Sequence, residues 1–317
     1  MKSKELKAFN KELNARNNYM YSINGVEIED TFAEAFTLWG GRVIITALNR
    51  KWAYEAATRM TGFATSIIAC GCEAGIESEV ENTPDGRPGV SVLLFARNRE
   101  LLEQQLMNRI GQCVLTCPTT ACFNGLSSPE FLRIGGQLRF FGDGYQSSKL
   151  IAGRRYWRIP VMEGEFLIEE KFGIQKGVGG GNILFLGSDQ TVTLQAAEAA
   201  ADVMRKVPGI ILPFPGGLVR SGSKVGSRYK FLIASTNDRY CPNLRGLVDT
   251  ALPEGVNSVL EIVIDGLELK NIETATREGI HAACIPGIRK ITAGNYGGKL
   301  GKYLIRLHDV LKEDAAV

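Results

Sequence analysis

Histidine is nearly absent from this sequence of 317 residues, which contains only His281 and His308. Serine and cysteine nucleophiles depend on a nearby base, most often histidine, so few arrangements of that kind are open to the chain. Both histidines are expected to be structural. Because so few bases are available, direct transfer of a group without a covalent enzyme intermediate fits the sequence better than nucleophilic catalysis.

Metal-binding spacing is missing as well. Seven cysteines occur, yet the groups Cys70/Cys72 and Cys113/Cys117/Cys122 form no CxxC pair and have no histidine nearby. We therefore predict no metal site and keep structural zinc only as an alternative. An odd number of cysteines in a long chain without a secretory signal is expected to consist of reduced thiols.

Long apolar runs and a strong net charge are also missing. The apolar stretches are strand-sized, far below the ~20 residues of a membrane helix, and the charged start has no signal-peptide segment. With 37 Lys and Arg against 34 Asp and Glu, the net charge of +3 shows no bias toward polyanions. We expect a cytoplasmic protein that binds neither membrane nor nucleic acid.

Hydrophobic residues make up 44% of the sequence, which is enough for ordinary domain cores. Their spacing indicates the secondary structure. Strand-like runs alternate with residues at helical spacing in both halves. In the first half the predicted elements are a strand at Arg42–Leu48, a helix with Trp52, Ala56 and Met60, strands at Ala64–Cys70 and Val90–Ala96, a helix with Leu102, Leu106 and Ile110, and a strand at Cys113–Thr116. In the second half they are a strand at Asn182–Leu186, a helix capped by Asp189 with Leu194, Ala197, Ala201 and Met204, strands at Ile210–Leu212 and Val259–Ile264, a helix with Ile272, Ala275, Gly279 and Ala282, and strands at Ile288–Thr292 and Tyr303–Leu307.

An internal repeat supports this division. Pro208-Gly209-Ile210 recurs as Pro286-Gly287-Ile288, and Lys224-Val225-Gly226 recurs as Lys299-Leu300-Gly301, each of the latter leading into a predicted tyrosine-containing strand. We predict an α+β fold of two ferredoxin-like α/β sandwich lobes, a βαββαβ duplication, rather than a doubly wound sheet. The predicted divisions are a charged extension at 1–21 and lobes at 22–164 and 165–317.

Glycine-rich loops could bring backbone close to a ligand, the pair Gly216 and Gly217 among them. No GKS or GKT follows a glycine loop, and the cluster Gly177–Gly181 precedes a strand where a dinucleotide loop would follow one, so nucleotide binding is disfavoured. Tight turns are the alternative explanation. In the same kind of loop, Lys224 and Lys299 could meet a carboxylate or phosphate, or be solvated.

Glu261 is the main candidate for chemistry. Strand alternation places it on one face with Val259 and Val263, opposite Ile262 and Ile264. A carboxyl among apolar neighbours has a raised pKa and suits a general acid, although an exposed strand face would also explain the pattern. Both interpretations stay open at this point.

Eight segments together resemble one family, that of formylmethanofuran:tetrahydromethanopterin formyltransferases, from about Ile23 to Asp309. The segments are INGVEIEDTFAEAF (23–36), TPDGRPG (83–89), IGQCVLTCPTT (110–120), FFGDGY (140–145), PFPGG (213–217), SGSKVGS (221–227), LEIVIDGL (260–267) and ITAGNYGGKLGKY (291–303). The stretch IIACGCEAGIE (67–77) is similar to bacterial relatives, and Leu260 and Asp265 stand where archaeal members often have Tyr and Asn.

The resemblance implies two ferredoxin-like lobes and an acyltransferase of one-carbon metabolism and formaldehyde oxidation. It would move a formyl group directly, in a ternary complex, between the tetrahydromethanopterin N5 and the methanofuran (methylofuran) amine, with no permanently bound cofactor. The glutamate proposed to act in the cleft of the family matches Glu261, and we assign the handling of the proton to it. As a mechanistic hypothesis of our own, Asn182, Ser223 and Asn295, in or near the glycine-rich loops, are candidate oxyanion donors, and Lys224 and Lys299 pair with carboxylates of a carrier.

The resemblance also bears on partners, because bacterial members are subunits of a formyltransferase/hydrolase complex. Partner subunits, a homo-oligomer or both are therefore expected, and residues 1–21 would be a docking element. A truncation lacking residues 1–20 that still assembles would contradict that role. Two other classes stay open. One is a noncatalytic carrier-binding scaffold subunit. The other is a small RNA-binding module, although this sequence lacks the aromatic-rich basic strand pair usual in such modules.

Overall fold

The computed structural model describes residues 21–299 and 301–312, so nearly all of the predicted 1–21 extension lies outside the described residues. The strands are β1 (Ser22–Ile23), β2 (Val26–Ile28), β3 (Phe32–Thr46), β4 (Glu73–Val80), β5 (Gly89–Ala96), β6 (Ala121–Asn124), β7 (Phe131–Leu132), β8 (Ser147–Ile151), β9 (Arg154–Val161), β10 (Gly164–Glu169), β11 (Phe172–Gly187), β12 (Ile210–Ile211), β13 (Lys224–Val225), β14 (Ala234–Ser235), β15 (Ser258–Gly266), β16 (Ile288–Thr292) and β17 (Tyr303–Arg306). The helices are α1 (Arg50–Thr61), α2 (Arg99–Arg109), α3 (Ile134–Leu138), α4 (Gln190–Met204), α5 (Leu269–Ala283) and α6 (Leu307–Lys312). Within these ranges, no helix is long and apolar enough to cross a membrane.

The first lobe is a βαββαβ unit built from β3, α1, β4, β5, α2 and β6. Its strands pair antiparallel in the spatial order β6-β3-β5-β4. Helices α1 and α2 bury Ala56, Met60, Leu102 and Leu106 against this sheet. Asn49 and Asn98 begin the two helices by accepting a hydrogen bond from a first-turn backbone N–H.

The second lobe repeats that arrangement with β11, α4, β12, β15, α5 and β16, paired antiparallel in the order β16-β11-β15-β12. Asp189 caps α4 as predicted, its side chain accepting from the Val192 N–H. The same strand order in both halves confirms the predicted duplication of ferredoxin-like lobes.

Two long strands join the lobes. The first parts of β3 and β11 pair with each other, from Phe36 opposite Gly179 to Gly41 opposite Ile174, before each strand continues into its own lobe. A small apolar cluster that includes Phe95, Ile211 and Leu267 fills the space between the lobes. The lobes therefore share backbone hydrogen bonds and a common core, which holds strands of both beside one cleft.

Two predicted strands of the first lobe are wrong. Ala64–Cys70 is a loop that enters and leaves through left-handed residues, Phe63 at φ 54° and Ala69 at φ 65°, and the strand is the more polar β4. Cys113–Thr116 continues from α2 through a π-helical turn, Ile110–Val114, and the strand is β6. Ile110 and Val114 are both buried at helical spacing, which explains why this apolar run is not extended.

Smaller corrections concern which helix faces are buried and where the predicted strands end. Leu194 is 44% exposed, because α4 packs through Thr193, Ala197 and Ala201 instead, and α5 buries Ala283 more fully than Ala282. The predicted strands ending at Leu48, Leu212 and Leu307 stop one or two residues earlier. Tyr303 lies on β17 as predicted, whereas Tyr229 lies in an exposed loop outside any strand.

Candidate active site

Glu261 lies in the middle of β15, paired with Leu184 of β11 on one side and bridged to Val219 on the other. Ile262 and Ile264 point into the core of the second lobe, so alternation directs Glu261 to the opposite face. The Asn182 Nδ2 donates to Glu261 Oε1 at 2.6 Å. Burial raises the pKa of Glu261, and the Asn182 hydrogen bond opposes that change. The carboxyl therefore retains its proton to a higher pH than an exposed glutamate does.

Asn182 connects this carboxyl to the loop after β16. Its Oδ1 accepts from the Gly294 backbone N–H at 2.8 Å, so both ends of the amide are engaged and its orientation is set. A Cβ at Gly294 would lie 2.5 Å from Asn182 Nδ2, so the loop approaches this closely only because the residue is glycine. The predicted donor Asn295 follows at once, with its Nδ2 donating to Thr31 Oγ1 at 2.7 Å.

Tyr296 belongs to the same loop. Its hydroxyl has a raised pKa, caused first by burial and then by the charges of Glu261 and Glu34. Glu34 itself is 1% exposed and accepts from the backbone N–H groups of Tyr296, Gly298 and Gly301 at 2.5 to 2.7 Å. These hydrogen bonds fold the loop around a buried carboxylate of β3, which brings the Tyr296 side chain near Glu261.

A cavity of about 730 Å³ opens between the lobes at this loop. Its walls are largely apolar, and Glu73, Tyr296, Arg97 and Lys302 supply polar groups. The apolar lining includes Phe36, Leu38, Ile67, Ile68, Phe95 and Val225. A cavity of this size, with few polar groups, is typical of a site for a medium-sized organic ligand.

Two carboxyl groups meet below this cavity, Glu73 from the first lobe and Asp265 from the second. The ideal Cβ position of Gly179 lies 2.9 Å from Asp265 Oδ1 and 3.0 Å from Glu73 Oε2, which places both groups at the same backbone. The Gly180 N–H donates to Asp265 Oδ1 at 2.8 Å. Burial and the neighbouring Glu73 raise the pKa of Asp265 well above its ordinary value. Asp265 therefore keeps its proton to a higher pH than an exposed aspartate does.

The remaining predicted site residues contact parts of the chain other than Glu261. Lys224 Nζ is 2.5 Å from Asp238 Oδ2, and this pairing lowers the pKa of the aspartate. Ser223 and Lys299 are exposed loop residues. Gly216 and Gly217 form a left-handed turn, at φ 61° and 80°, whose Gly216 carbonyl accepts from Arg205 Nη2 at 2.5 Å. That turn leads to Val219, which forms a bridge with Glu261. In the structure the turn therefore supports β15.

The seven cysteines are free thiols, and in the described part of the chain no three His, Cys, Asp or Glu side chains cluster as a metal site would require. Cys70 and Cys72 instead line the cavity. Glu73, Asp265 and Tyr296 were not singled out as functional residues from the sequence. The available signals were the period-2 alternation linking Asp265 to Glu261 and the tyrosine within the Gly294–Gly298 cluster.

The fold and the site define a two-lobed α+β protein with a cavity between the lobes and a buried carboxyl, Glu261, near the Tyr296 that lines this cavity. Residues 21–161 match the family model of formylmethanofuran-tetrahydromethanopterin formyltransferase, and residues 164–310 match the model described as its proximal lobe. The chain therefore belongs to the formylmethanofuran–tetrahydromethanopterin formyltransferase family.

Individual relatives agree. A formylmethanofuran–tetrahydromethanopterin formyltransferase of Methylobacillus flagellatus is 60% identical over 91% of this chain and 99% of its own length. The solved formyltransferase of Methanosarcina barkeri is 52% identical with a TM-score of 0.87, covering 92% of this chain and all of that one. A chain of the formyltransferase/hydrolase complex of Methylorubrum extorquens, solved with methylofuran, is 51% identical with a TM-score of 0.89 over 92% and 98%.

Proposed function

We propose that this chain is an acyltransferase that moves a formyl group between N5 of tetrahydromethanopterin and the amine of methanofuran or methylofuran. The observation that carries the proposal is the Glu261–Asn182 pair, near the Tyr296 that lines the inter-lobe cavity, in a chain from this family. The two carriers enter as substrates, and the residues proposed for the reaction use no bound cofactor. A cytoplasmic location fits the use of such carriers.

Transfer between two amines needs a nucleophilic nitrogen, a tetrahedral intermediate and a proton for the departing amine. Glu261 is suited to the last step, since burial raises the pKa of its carboxyl and keeps a proton available. The amine attacks the formyl carbon, the Glu261 proton passes to the leaving nitrogen, and the carboxylate recovers a proton from the attacking nitrogen. Binding both carriers in one ternary complex lowers the barrier by ~7–11 kcal/mol.

The hydrogen bonds in the structure assign different roles to the three predicted oxyanion donors. Asn182 uses one Nδ2 hydrogen on Glu261, so we assign it first to positioning that carboxyl. Asn295 is bound to Thr31, whereas Ser223 is exposed and stays a candidate donor. A donor aimed at the developing oxyanion contributes ~3 kcal/mol.

The acidic tails of the carriers would be bound by cationic side chains. Of the two lysines proposed for this role, Lys299 is better placed than Lys224. Lys224 already faces Asp238, whereas Lys299 is exposed in the glycine-rich loop anchored by Glu34. We assign Lys299 to carboxylates of a carrier, with Lys224 in support. Gly216 and Gly217 would contribute through the backbone that leads to Val219.

The test is formyl exchange by the purified chain, followed as consumption of formyl-tetrahydromethanopterin with and without the furan carrier. Consumption should require the carrier, and Glu261→Gln should lower kcat by about 10²- to 10⁴-fold. Asn295→Gln is the matched control, because its amide contacts Thr31 rather than Glu261. Transfer that survives Glu261→Gln would exclude its role, and binding without any transfer would favour a scaffold subunit.

We further propose that the chain works in an assembly, with partner subunits as in the complex named for the Methylorubrum relative or as a homo-oligomer. Support comes from the loop between β13 and β14, where Tyr229, Phe231 and Ile233 are all more than 60% exposed. The lobes at 22–164 and 165–317 would remain the folding units within it. The mass of the purified chain by light scattering should exceed the monomer mass or rise on adding partners; a monomer that joins no partner would refute the proposal.

A further inference from the structure

Glu34 is a buried carboxyl that the proposed transfer mechanism does not use. It lies on β3 between Ala33 and Ala35, whose side chains pack in the core of the second lobe, so alternation turns Glu34 to the opposite face. Only 1% of the residue is exposed. Burying a carboxyl is costly unless hydrogen bonds satisfy it, so the partners of Glu34 indicate what this residue holds in place.

The backbone donors to Glu34 come from the loop that follows β16. The N–H groups of Tyr296 and Gly298 donate to Oε1, and the N–H group of Gly301 donates to Oε2. The Glu34 backbone N–H donates in turn to the Gly294 carbonyl oxygen at 3.4 Å. Convergent backbone N–H groups of this kind form a concavity that binds an anion. These four hydrogen bonds fasten the loop, from Gly294 to Gly301, to one residue of β3.

The first residue of this loop controls the side chain that binds Glu261. The Gly294 N–H donates to Asn182 Oδ1 at 2.8 Å, and Asn182 Nδ2 donates to Glu261 Oε1 at 2.6 Å. An asparagine amide has one donor end and one acceptor end. Because Gly294 engages the acceptor end, the donor end is directed at Glu261. If Gly294 moved away, the amide would be free to turn and would lose its donation to the carboxyl.

We infer that Glu34 is a positioning residue that acts on Glu261 through the glycine-rich loop and the Asn182 amide. Its carboxyl holds the loop, the loop holds the amide, and the amide donates to Glu261. Around Glu261, β11 supplies the uncharged Asn182, the bridged segment supplies Val219, and the loop brings the titratable Tyr296 near. The inference rests on the proposed function, since Glu261 is the residue to which the proton transfer is assigned.

The experiment is a titration of the Glu261 carboxyl by 13C NMR on the purified full-length chain. The glutamate side chains are labelled at the carboxyl carbon, and the Glu261 signal is identified by its loss in Glu261→Gln. Glu34→Gln keeps the size of the side chain but places an amide N–H group against backbone N–H groups, so the loop should withdraw and release the Asn182 amide. Losing a hydrogen bond to a charged group should raise the pKa of Glu261 by about one to two pH units.

The sign of the change separates this path from the direct effect of charge. Glu34→Gln also removes a negative charge, and losing a nearby negative charge would by itself lower the pKa of Glu261. Glu34→Asp keeps the charge but shortens the reach to the loop, so it should raise the pKa by a smaller amount. Glu29→Gln is the matched control, because Glu29 pairs with Lys290 at 3.2 Å, and it should leave the titration unchanged. A pKa that stays or falls in the Glu34 variants would overturn the inference.

Gly294→Ala tests the same path from its other end. Its Cβ would lie 2.5 Å from Asn182 Nδ2, so the amide must move although the Glu34 side chain keeps its donors. This variant should also raise the pKa of Glu261, and it decides the question if neither Glu34 variant folds. In the pH profile of kcat, Glu34→Gln combined with Asn182→Ala should move the alkaline limb no further than Asn182→Ala alone, because both changes remove one hydrogen bond. Additive movements would contradict a shared path.

The two proposals fail separately, because the NMR titration needs no substrate. If the chain transfers formyl groups and loses this activity in Glu261→Gln, but the Glu261 titration does not respond to Glu34, only the positioning role is wrong. If the titration responds as expected and the chain transfers nothing, the positioning role stands and the proposed activity does not.

Discussion

Replacing Asn182 by alanine should change the pH dependence of the reaction more than it changes binding of either carrier. The Nδ2 to Oε1 distance of 2.6 Å marks a strong hydrogen bond to the Glu261 carboxylate, and this bond lowers a pKa that burial raises. A hydrogen bond to a charged group contributes about 1.5–3 kcal/mol. Its loss leaves burial unopposed, so Glu261 retains its proton to still higher pH. The alkaline limb of kcat should move up by about one to two pH units.

The assay is the pH profile of kcat for the wild type, Asn182→Ala and the control Asn295→Ala. Asn295 lies in the loop that Asn182 binds, so its variant reproduces a disturbance of that loop without removing the donor to Glu261. The control should keep the wild-type profile. A limb that does not move, or that moves to lower pH, would refute the conclusion that Asn182 stabilises the charged form of Glu261.

Two further outcomes follow from contacts outside the carboxyl site. Lys299→Ala should raise KM for one carrier severalfold in initial-rate assays, whereas Lys224→Ala should change it less because Asp238 already faces that charge; equal effects would contradict this. Gly173→Ala should lower the free energy of unfolding by about 3 kcal/mol in denaturant titrations, since its Cβ would lie 2.0 Å from the Leu126 carbonyl oxygen. Gly41→Ala, whose Cβ would meet nothing closer than 3.6 Å, should be much milder, and similar losses in both would refute the steric explanation.

The duplicated fold was predictable because the sequence repeats the signals that end helices and begin strands. Pro208-Gly209-Ile210 and Pro286-Gly287-Ile288 both mark the return from a helix to a strand, with the glycines at φ 78° and 97°. The wrong strand at Ala64–Cys70 has the opposite origin. Its residues are apolar because several of them line the inter-lobe cavity, whereas β4 alternates with polar residues and was less conspicuous. An apolar run predicts burial, but in this segment Ala64 is buried whereas Ile67 is exposed on the wall of the cavity.

The candidate site was predictable only as far as it depends on one strand. Alternation along β15 was sufficient to direct Glu261 away from the core. Asn182 entered as a candidate donor, but its contact with Glu261 depends on the register of β11 against β15, which no local pattern contains. Glu73 and Asp265 come from different lobes and meet at Gly179, where β11 pairs with β3. Long-range contacts of that kind leave no periodicity in the sequence.

The geometry of the two carboxyl sites follows from one strand and an irregularity in its neighbour. Glu261 and Asp265 are four residues apart on β15, so they share a face and are separated by roughly 13 Å of strand. Opposite them, the register of β11 shifts between Val178 and Gly181, which lets Gly180 bind Asp265 while Asn182 binds Glu261. In a regular β11 the Gly180 N–H would lie in the plane of the sheet and pair with a neighbouring strand, so the bulge frees it for the Asp265 side chain. The bulge, together with the spacing along β15, therefore sets how far the Glu73–Asp265 carboxyl pair lies from Glu261.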